Sequence, residues 1–158
     1  MPVCRYCGQK AGWFSDAHVV CMNSAQQGCE RVASTVASAV VDKLIPPKHS
    51  DDDIWAKAFA EKVWSETKPQ LDQLATEHRI PANDMRDALR KGWSTGAEQV
   101  ATAEPIDPDR LAMLNYFYRA MGFSDQDMKM LKEIDYGGML LTTQNIYFGG
   151  DHTTFRIP

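Results

Sequence analysis

The chain has 158 residues, of which 44% are hydrophobic, with a formal net charge of -4 and a pI near 5.5. This length suits one domain with a real core, and the acidic balance argues against a broad nucleic-acid-binding surface. Because the sequence shows neither a signal-peptide pattern nor an apolar run long enough to span a membrane, we expect a cytoplasmic protein with reduced thiols and no membrane contact.

The first element of the chain carries the ligand types and spacing of a tetrahedral metal site. Cys4 and Cys7 form a C-x-x-C pair closed by Gly8, and His18 and Cys21 follow with i, i+3 spacing. Glycine supplies the positive φ that such a turn often needs, and a turn of this kind points backbone N–H groups at thiolate sulfurs. The pattern predicts one structural Zn²⁺ per chain, bound by three thiolates and one imidazole.

Cysteines in this pattern can also serve three other purposes. A disulfide framework would need an oxidising compartment, and a C-x-x-C redox pair would sit inside a βαβ unit, which nothing around Cys4 indicates. A catalytic zinc site would need an open coordination position, and four good ligands leave none. The remaining cysteine, Cys29, is expected to be a small core residue, with a spare metal ligand as the alternative.

The predicted site resembles the treble-clef class of zinc modules. The resemblance covers residues 3 to 30 and depends on a knuckle, a short loop with the apolar pair Trp13 and Phe14, and ligands in the first turn of a helix capped by Ser15 or Asp16. It implies zinc and a local fold and leaves activity open. More loosely, the chain looks like bacterial proteins that join an N-terminal zinc module and a helical middle to a β-rich, pleckstrin-homology-like end.

Three helices are predicted in the first half of the chain. The first runs from Asp16 to about Lys43, and its narrow stripe of small apolar residues suits close packing against another helix, in the same fold or in a second subunit. The second begins after Ser50 as N-cap. A break at Lys68-Pro69 is predicted to start a third helix, with Pro69 in its first turn.

Three more helices are predicted before the end of the chain. Asn83 is expected to cap the fourth, in which Gly92 and Gly96 flank Trp93 and permit either close approach of another element or a bend. A linker over 103–108 then leads to a fifth helix that begins at Pro108. Ser124 is expected to cap a short sixth helix that extends to about Ile134.

The last residues are expected to form a short antiparallel β-meander. Three strands are predicted, over 139–143, 145–149 and 153–157. The expected fold class is therefore mainly α, with an N-terminal treble-clef-like zinc module, about six helices and this meander. The expected division of the chain is a zinc module (1–30), a helical domain (31–136) and the β segment (137–158).

No catalytic constellation stands out in this sequence, so we expect a protein that is not an enzyme. The expected function is that of a zinc-stapled protein-binding module, an adaptor or an inhibitor of another protein, with a homodimer as a further expectation. Small proteins of this kind are common among phage and mobile-element genes that block host machinery. The alternative is a nucleic-acid-associated regulator, which would use six basic residues: Arg5, Lys10, Arg31, Arg86, Arg90 and Lys91.

Overall fold

The architecture is mainly helical, with the cysteine and histidine residues of the predicted site at its N-terminal end. The computed structural model describes residues 1–46, 53–103, 108–124, 132–134, 137–141, 146–150 and 154–157. Its four α-helices are α1 (Val19–Ser38), which continues into a π-helical turn (Ala39–Lys43), α2 (Asp53–Glu77), α3 (Ala82–Ala103) and α4 (Pro108–Ala120). Helix α1 packs mainly on α3, and α2 packs mainly on α4.

The contact between α1 and α3 is close because α3 presents glycine to α1. A Cβ atom on Gly92 would lie 2.5 Å from the carbonyl oxygen of Ala33. A Cβ atom on Gly96 would lie 2.7 Å from the Cβ of Val40. Any larger side chain at either position would force the helices apart, so of the two predicted roles, close approach and a bend, the structure supports close approach.

Aromatic side chains join α2, α3 and α4 into one core. The buried rings of Trp93 and Tyr118 lie 4.7 Å apart between centroids, and Trp64 meets Phe117 edge-on at 5.9 Å. The indole Nε1–H of Trp93 donates a hydrogen bond of 3.0 Å to the carbonyl oxygen of Leu114. A buried indole needs such a partner, since an unpaired N–H in the core is costly.

The predicted break between the second and third helices is wrong, because α2 continues through Pro69. Proline in a helix interior removes a backbone hydrogen bond and costs about 3 kcal/mol. Beyond the proline, Leu71 is fully buried and Leu74 is 5% exposed, and both belong to the main core. Burial of two leucines contributes about 3–6 kcal/mol, enough to offset the proline. Packing of these leucines in the core therefore outweighs the tendency of Pro69 to end the helix.

Two predicted helix caps also differ from the structure. Helix α1 begins three residues later than predicted, because the Ala17 N–H donates to Ser15 Oγ (3.2 Å) in a local turn that leaves His18 as N-cap. Asn83 is not a cap either, since α3 begins at Ala82. The predicted helix start at Pro108 is confirmed.

The C-terminal strands form one antiparallel sheet in which each strand pairs with its neighbours in sequence. The strands are β1 (Lys132–Ile134), β2 (Gly137–Leu141), β3 (Ile146–Gly150) and β4 (Thr154–Ile157). The sheet lies against α3 and α4. In the backbone register of the sheet, Glu133 pairs with Gly138, and Phe148 pairs with Phe155.

The prediction of six helices is also wrong in count, since the described residues contain four. The second and third are one helix, and the end of the predicted sixth is strand β1, whose backbone pairs with β2. The rest of that predicted helix, the Ser50 cap and residues 104–107 of the linker lie outside the described residues. Within the described parts of the chain, no helix is both long enough and apolar enough for a bilayer crossing. The division into three segments stays a prediction.

Candidate metal centre

A tight knuckle places the first two cysteines. Val3 and Lys10 pair as an antiparallel bridge, and inside it the N–H of Cys4 donates to the carbonyl of Gln9 at 2.7 Å. The chain turns back at Gly8, whose φ of 72° is in the left-handed region and whose N–H donates to the carbonyl of Cys4 at 2.8 Å. This left-handed position favours glycine over residues with a Cβ. The turn brings the sulfurs of both cysteines to the same site.

The start of helix α1 places the other two side chains. His18 is the N-cap, with extended backbone angles (φ -76°, ψ 139°), and Cys21 lies in the first turn of the helix. A backbone hydrogen bond of 3.0 Å from the N–H of Arg5 to the carbonyl of Asp16 ties the knuckle to this helix start. Two local turns, joined by one long loop, therefore define the site.

The four ligand atoms converge to the separation that a tetrahedral ion requires. The sulfurs of Cys4, Cys7 and Cys21 and a ring nitrogen of His18 all lie within 4.8 Å of one another. His18 Nδ1 is 3.4 Å from Cys7 Sγ and 3.9 Å from Cys21 Sγ. Zinc bonds of about 2.3 Å to sulfur and about 2.0 Å to nitrogen put such ligand atoms about 3.5–3.8 Å apart in a tetrahedron. The observed spacing fits one ion of this size.

The orientation of the imidazole is fixed by its second nitrogen. His18 Nε2 lies 3.1 Å from the carbonyl oxygen of Lys10, which can only accept a hydrogen bond. The proton is therefore assigned to Nε2, and the lone pair of Nδ1 faces the two sulfurs. A metal-bound histidine commonly makes this arrangement, because a carbonyl partner holds the tautomer and the ring plane.

Backbone N–H groups favour the thiolate form at one ligand. Burial of Cys4 acts to raise its pKa, but hydrogen bonds from the backbone of His18, Cys7 and Tyr6 outweigh burial and lower the pKa to about 6. Among these hydrogen bonds the one from the His18 N–H, at the positive end of α1 and 3.4 Å from the sulfur, lowers the pKa most. In contrast, burial raises the pKa of the Cys21 thiol, and hydrogen bonding to Cys7 adds to the increase.

The fourth cysteine is not part of this cluster. Cys29 is partly buried, packs against the main core and has its Sγ 3.9 Å from the carbonyl of Asp84, consistent with the predicted core role. Burial, together with the nearby carboxylates of Asp84 and Asp87, raises its pKa. The raised pKa makes this thiol a slow nucleophile at neutral pH.

A serine and histidine pair was not predicted from the sequence. Ser24 Oγ lies 3.2 Å from Nδ1 of His78, and the guanidinium of Arg31 approaches Nε2 at 3.5 Å. Because arginine only donates, Nε2 accepts and Nδ1–H donates to Ser24, so neutral His78 cannot act as a base toward that hydroxyl. The pair instead links α1 to the end of α2, where a Cβ on Gly28 would lie 2.5 Å from His78 Cβ. Because Ser24 and His78 are 54 residues apart in the sequence, no local sequence pattern indicates their contact.

The basic residues of the nucleic-acid alternative are spread over several sites. Arg86 and Arg90 lie over the ring of Phe123 at 4.7 and 5.1 Å. Arg5 lies over the Tyr6 ring at 4.9 Å and donates to its hydroxyl. These contacts hold three of the six guanidinium or ammonium groups against aromatic rings. Binding to nucleic acid stays an untested alternative.

Of the predicted site residues, the structure brings all four metal-ligand candidates together. Within the described parts of the chain they are the one group of three or more His, Cys, Asp and Glu side chains with metal-binding spacing. No protein-family model, curated protein or solved structure matches the chain.

Proposed function

We propose that Cys4, Cys7, His18 and Cys21 bind one Zn²⁺ per chain in a treble-clef-like module. The observation that carries this proposal is the convergence of three sulfurs and one imidazole nitrogen within 4.8 Å. Thiolate and imidazole ligands in a tetrahedral arrangement favour zinc over the hard cations Mg²⁺ and Ca²⁺, which prefer oxygen.

The zinc is structural in this proposal. Four protein ligands complete a tetrahedral coordination sphere, so neither water nor a substrate has a position on the ion. The ion holds the knuckle onto the first turn of α1, and its binding free energy becomes folding free energy for the module.

The protein acts by binding another protein, as an adaptor or an inhibitor. Two features support this role over catalysis. In this proposal the three thiols and the imidazole of the metal cluster are all used for coordination. The Nδ1–H of His78, assigned from the contact of Nε2 with Arg31, donates to Ser24 and does not accept its proton. In addition, β1 and β4 each pair on one side only among the described strands, and an open strand edge can accept a strand from a partner.

The experiment is native mass spectrometry on the full chain, tagged and purified from its own host without chelator. The comparison includes Cys7→Ala, which removes a proposed ligand, and Cys29→Ala as a matched control that removes a thiol outside the cluster. We expect one zinc per chain and a co-purifying protein in the wild type and in Cys29→Ala. Cys7→Ala should lose the zinc and keep the co-purifying protein, because the strand edges proposed to bind it belong to the C-terminal sheet. A wild-type chain without zinc would contradict the metal site. A zinc-loaded chain that brings no protein with it would contradict the binding role.

A further inference from the structure

The three candidate thiol ligands differ in their exposure to solvent. Cys7 and Cys21 are partly exposed, whereas Cys4 is buried and only 1% exposed. The sulfur of Cys4 also accepts a hydrogen bond of 3.4 Å from the backbone N–H of His18. A small oxidant in solution therefore reaches Cys7 and Cys21, while the surrounding backbone shields Cys4.

Metal coordination makes this difference in exposure decisive. A thiol that binds a metal ion is deprotonated, so all three cysteines are thiolates while the module holds zinc. The thiolate is the form of cysteine that reacts with oxidants. Since the three ligands then share the same protonation state, access from solvent selects the sulfurs that react.

The two accessible sulfurs are also neighbours. Cys7 Sγ lies 3.4 Å and Cys21 Sγ 3.9 Å from the same atom, His18 Nδ1, and the two sulfurs are within 4.8 Å of each other. A disulfide bond is about 2.0 Å long, so the sulfurs need to approach by less than about 3 Å to form one. The pair joins the knuckle to the first turn of α1, and it is therefore different from the C-x-x-C pair within the knuckle.

We propose that Cys7 and Cys21 are a site of reversible oxidation, at which a hydroperoxide converts the two thiolates to a disulfide and the zinc is released. This inference rests on the proposed metal site and concerns the regulation of that site. It is independent of the proposed binding to another protein.

The reaction needs only the two thiolates and the hydroperoxide. One thiolate attacks a peroxide oxygen, the O–O bond breaks and hydroxide leaves, which gives a sulfenic acid. The other thiolate attacks that sulfur, the S–O bond breaks and a second hydroxide leaves as the disulfide forms. The two sulfurs together lose two electrons, and these electrons reduce hydrogen peroxide to two hydroxide ions.

Oxidation removes half of the coordination sphere. The thiolate is the form of cysteine that binds metal, so after disulfide formation only Cys4 and His18 remain as ligands and zinc leaves. The disulfide still connects the knuckle to α1, but it constrains one pair of residues where the ion constrained four side chains. We expect the module to loosen while the main core, which contains none of the four candidate ligands, stays folded.

The test treats the zinc-loaded full chain with a molar excess of hydrogen peroxide and follows zinc release with a colorimetric chelator. The matched control, Cys29→Ala, lacks the thiol outside the cluster. We expect both proteins to release one zinc per chain and to lose the mass of two hydrogen atoms. A thiol reductant together with added zinc should restore one zinc per chain. Peroxide also oxidises methionine, of which the chain has eight, but a thiol reductant does not reverse that change, so the recovery reports on cysteine.

Tryptic digestion identifies the oxidised pair after free thiols have been alkylated. Cleavage at lysine and arginine divides the module into three peptides, residues 1–5, 6–10 and 11–31. The first contains Cys4, the second Cys7, and the third both Cys21 and Cys29. Because the third peptide holds two cysteines, the assignment is made on Cys29→Ala, where it is unique. We expect a disulfide between the second and third peptides.

Every other result contradicts the proposal. Zinc that stays bound in excess peroxide would overturn it, as would zinc loss without a disulfide. A disulfide that includes the first peptide would show that Cys4 reacts and that exposure does not select the pair. If Cys29→Ala keeps its zinc in peroxide while the wild type loses it, Cys29 is the reacting thiol. Failure of the metal site itself is distinguishable, because that protein contains no zinc before peroxide is added.

Discussion

Replacing Cys7 by alanine tests whether the metal or the module's own packing holds the N-terminal residues in place. Of residues 2–18, only Cys4 and Ala11 are buried. Ordering these residues costs about 17 kcal/mol at about 1 kcal/mol each. Burial of two small side chains and the few backbone hydrogen bonds return about 5 kcal/mol. The remaining deficit of about 12 kcal/mol lies within the 10–16 kcal/mol that a structural zinc typically supplies.

Hydrogen exchange read by mass spectrometry measures this directly. The backbone N–H groups of Cys4, Gly8 and Ala11 each donate a hydrogen bond within the knuckle, so they are protected while it is folded. We expect Cys7→Ala to lose zinc and to lose protection at all three amides. Protection in α3 should persist, because the main core contains none of the four candidate ligands. Cys29→Ala should exchange like the wild type throughout the module.

Two results would refute this reasoning. If Cys7→Ala loses its zinc but keeps the protection of Gly8 and Ala11, the knuckle is held by its own contacts. If it keeps one zinc per chain, Cys7 is not a ligand. Loss of protection in α3 to the same extent would mean that module and core unfold together.

Three further predictions concern the site and the core. Because the pKa of Cys4 is lowered to about 6, its thiolate persists above that pH and protonates below it. Zinc should therefore be retained at pH 7 and released as the pH falls below about 6. Release already at pH 7, detected with a colorimetric chelator, would contradict this prediction. Gly92→Ala places a methyl group 2.5 Å from a backbone oxygen of α1 and should cost about 3 kcal/mol, a fall in Tm of about 6–12 °C. The control Gly12→Ala, which has open space around it, should change Tm by less than about 2 °C. Trp93→Phe leaves the buried carbonyl of Leu114 without its indole donor and should cost about 1–3 kcal/mol in urea unfolding, whereas an unchanged midpoint would show that the bond contributes nothing.

The candidate site was predictable from sequence because its information is local. Each ligand pair lies within a single turn of the chain. Residue type and spacing alone therefore predict that Cys4 lies near Cys7 and that His18 lies near Cys21. Joining the pairs needed only the assumption of a common ion. The contact between His18 Nε2 and the carbonyl of Lys10, which sets the tautomer, involves a backbone atom and leaves no signature in residue identity.

The errors in the fold arose where distant packing outweighed a local rule. Pro69 has the sequence signature of a helix start, but the fully buried Leu71 holds the segment in α2. Likewise Ser15 and Asp16 have good capping side chains, yet the chain keeps them outside the helix, where the carbonyl of Asp16 accepts the N–H of Arg5. A single sequence shows the propensity at each of these positions and not the partner that overrides it.

The loop that joins the two candidate ligand pairs also carries exposed aromatic side chains. A loop that only connects two ligand pairs can be polar, and exposed Trp and Phe in such a loop carry a cost in solubility. Here Trp13 and Phe14 occupy the centre of a turn closed by a hydrogen bond from the N–H of Ser15 to the carbonyl of Gly12, and the exposed Val19 and Val20 stand between His18 and Cys21. Loss of the ion would therefore disorder the knuckle and the loop that carries these side chains together, while the helical core stays intact. A substitution of Cys7 and a substitution of Trp13 or Phe14 should thus differ in metal content, because only the first removes a candidate ligand.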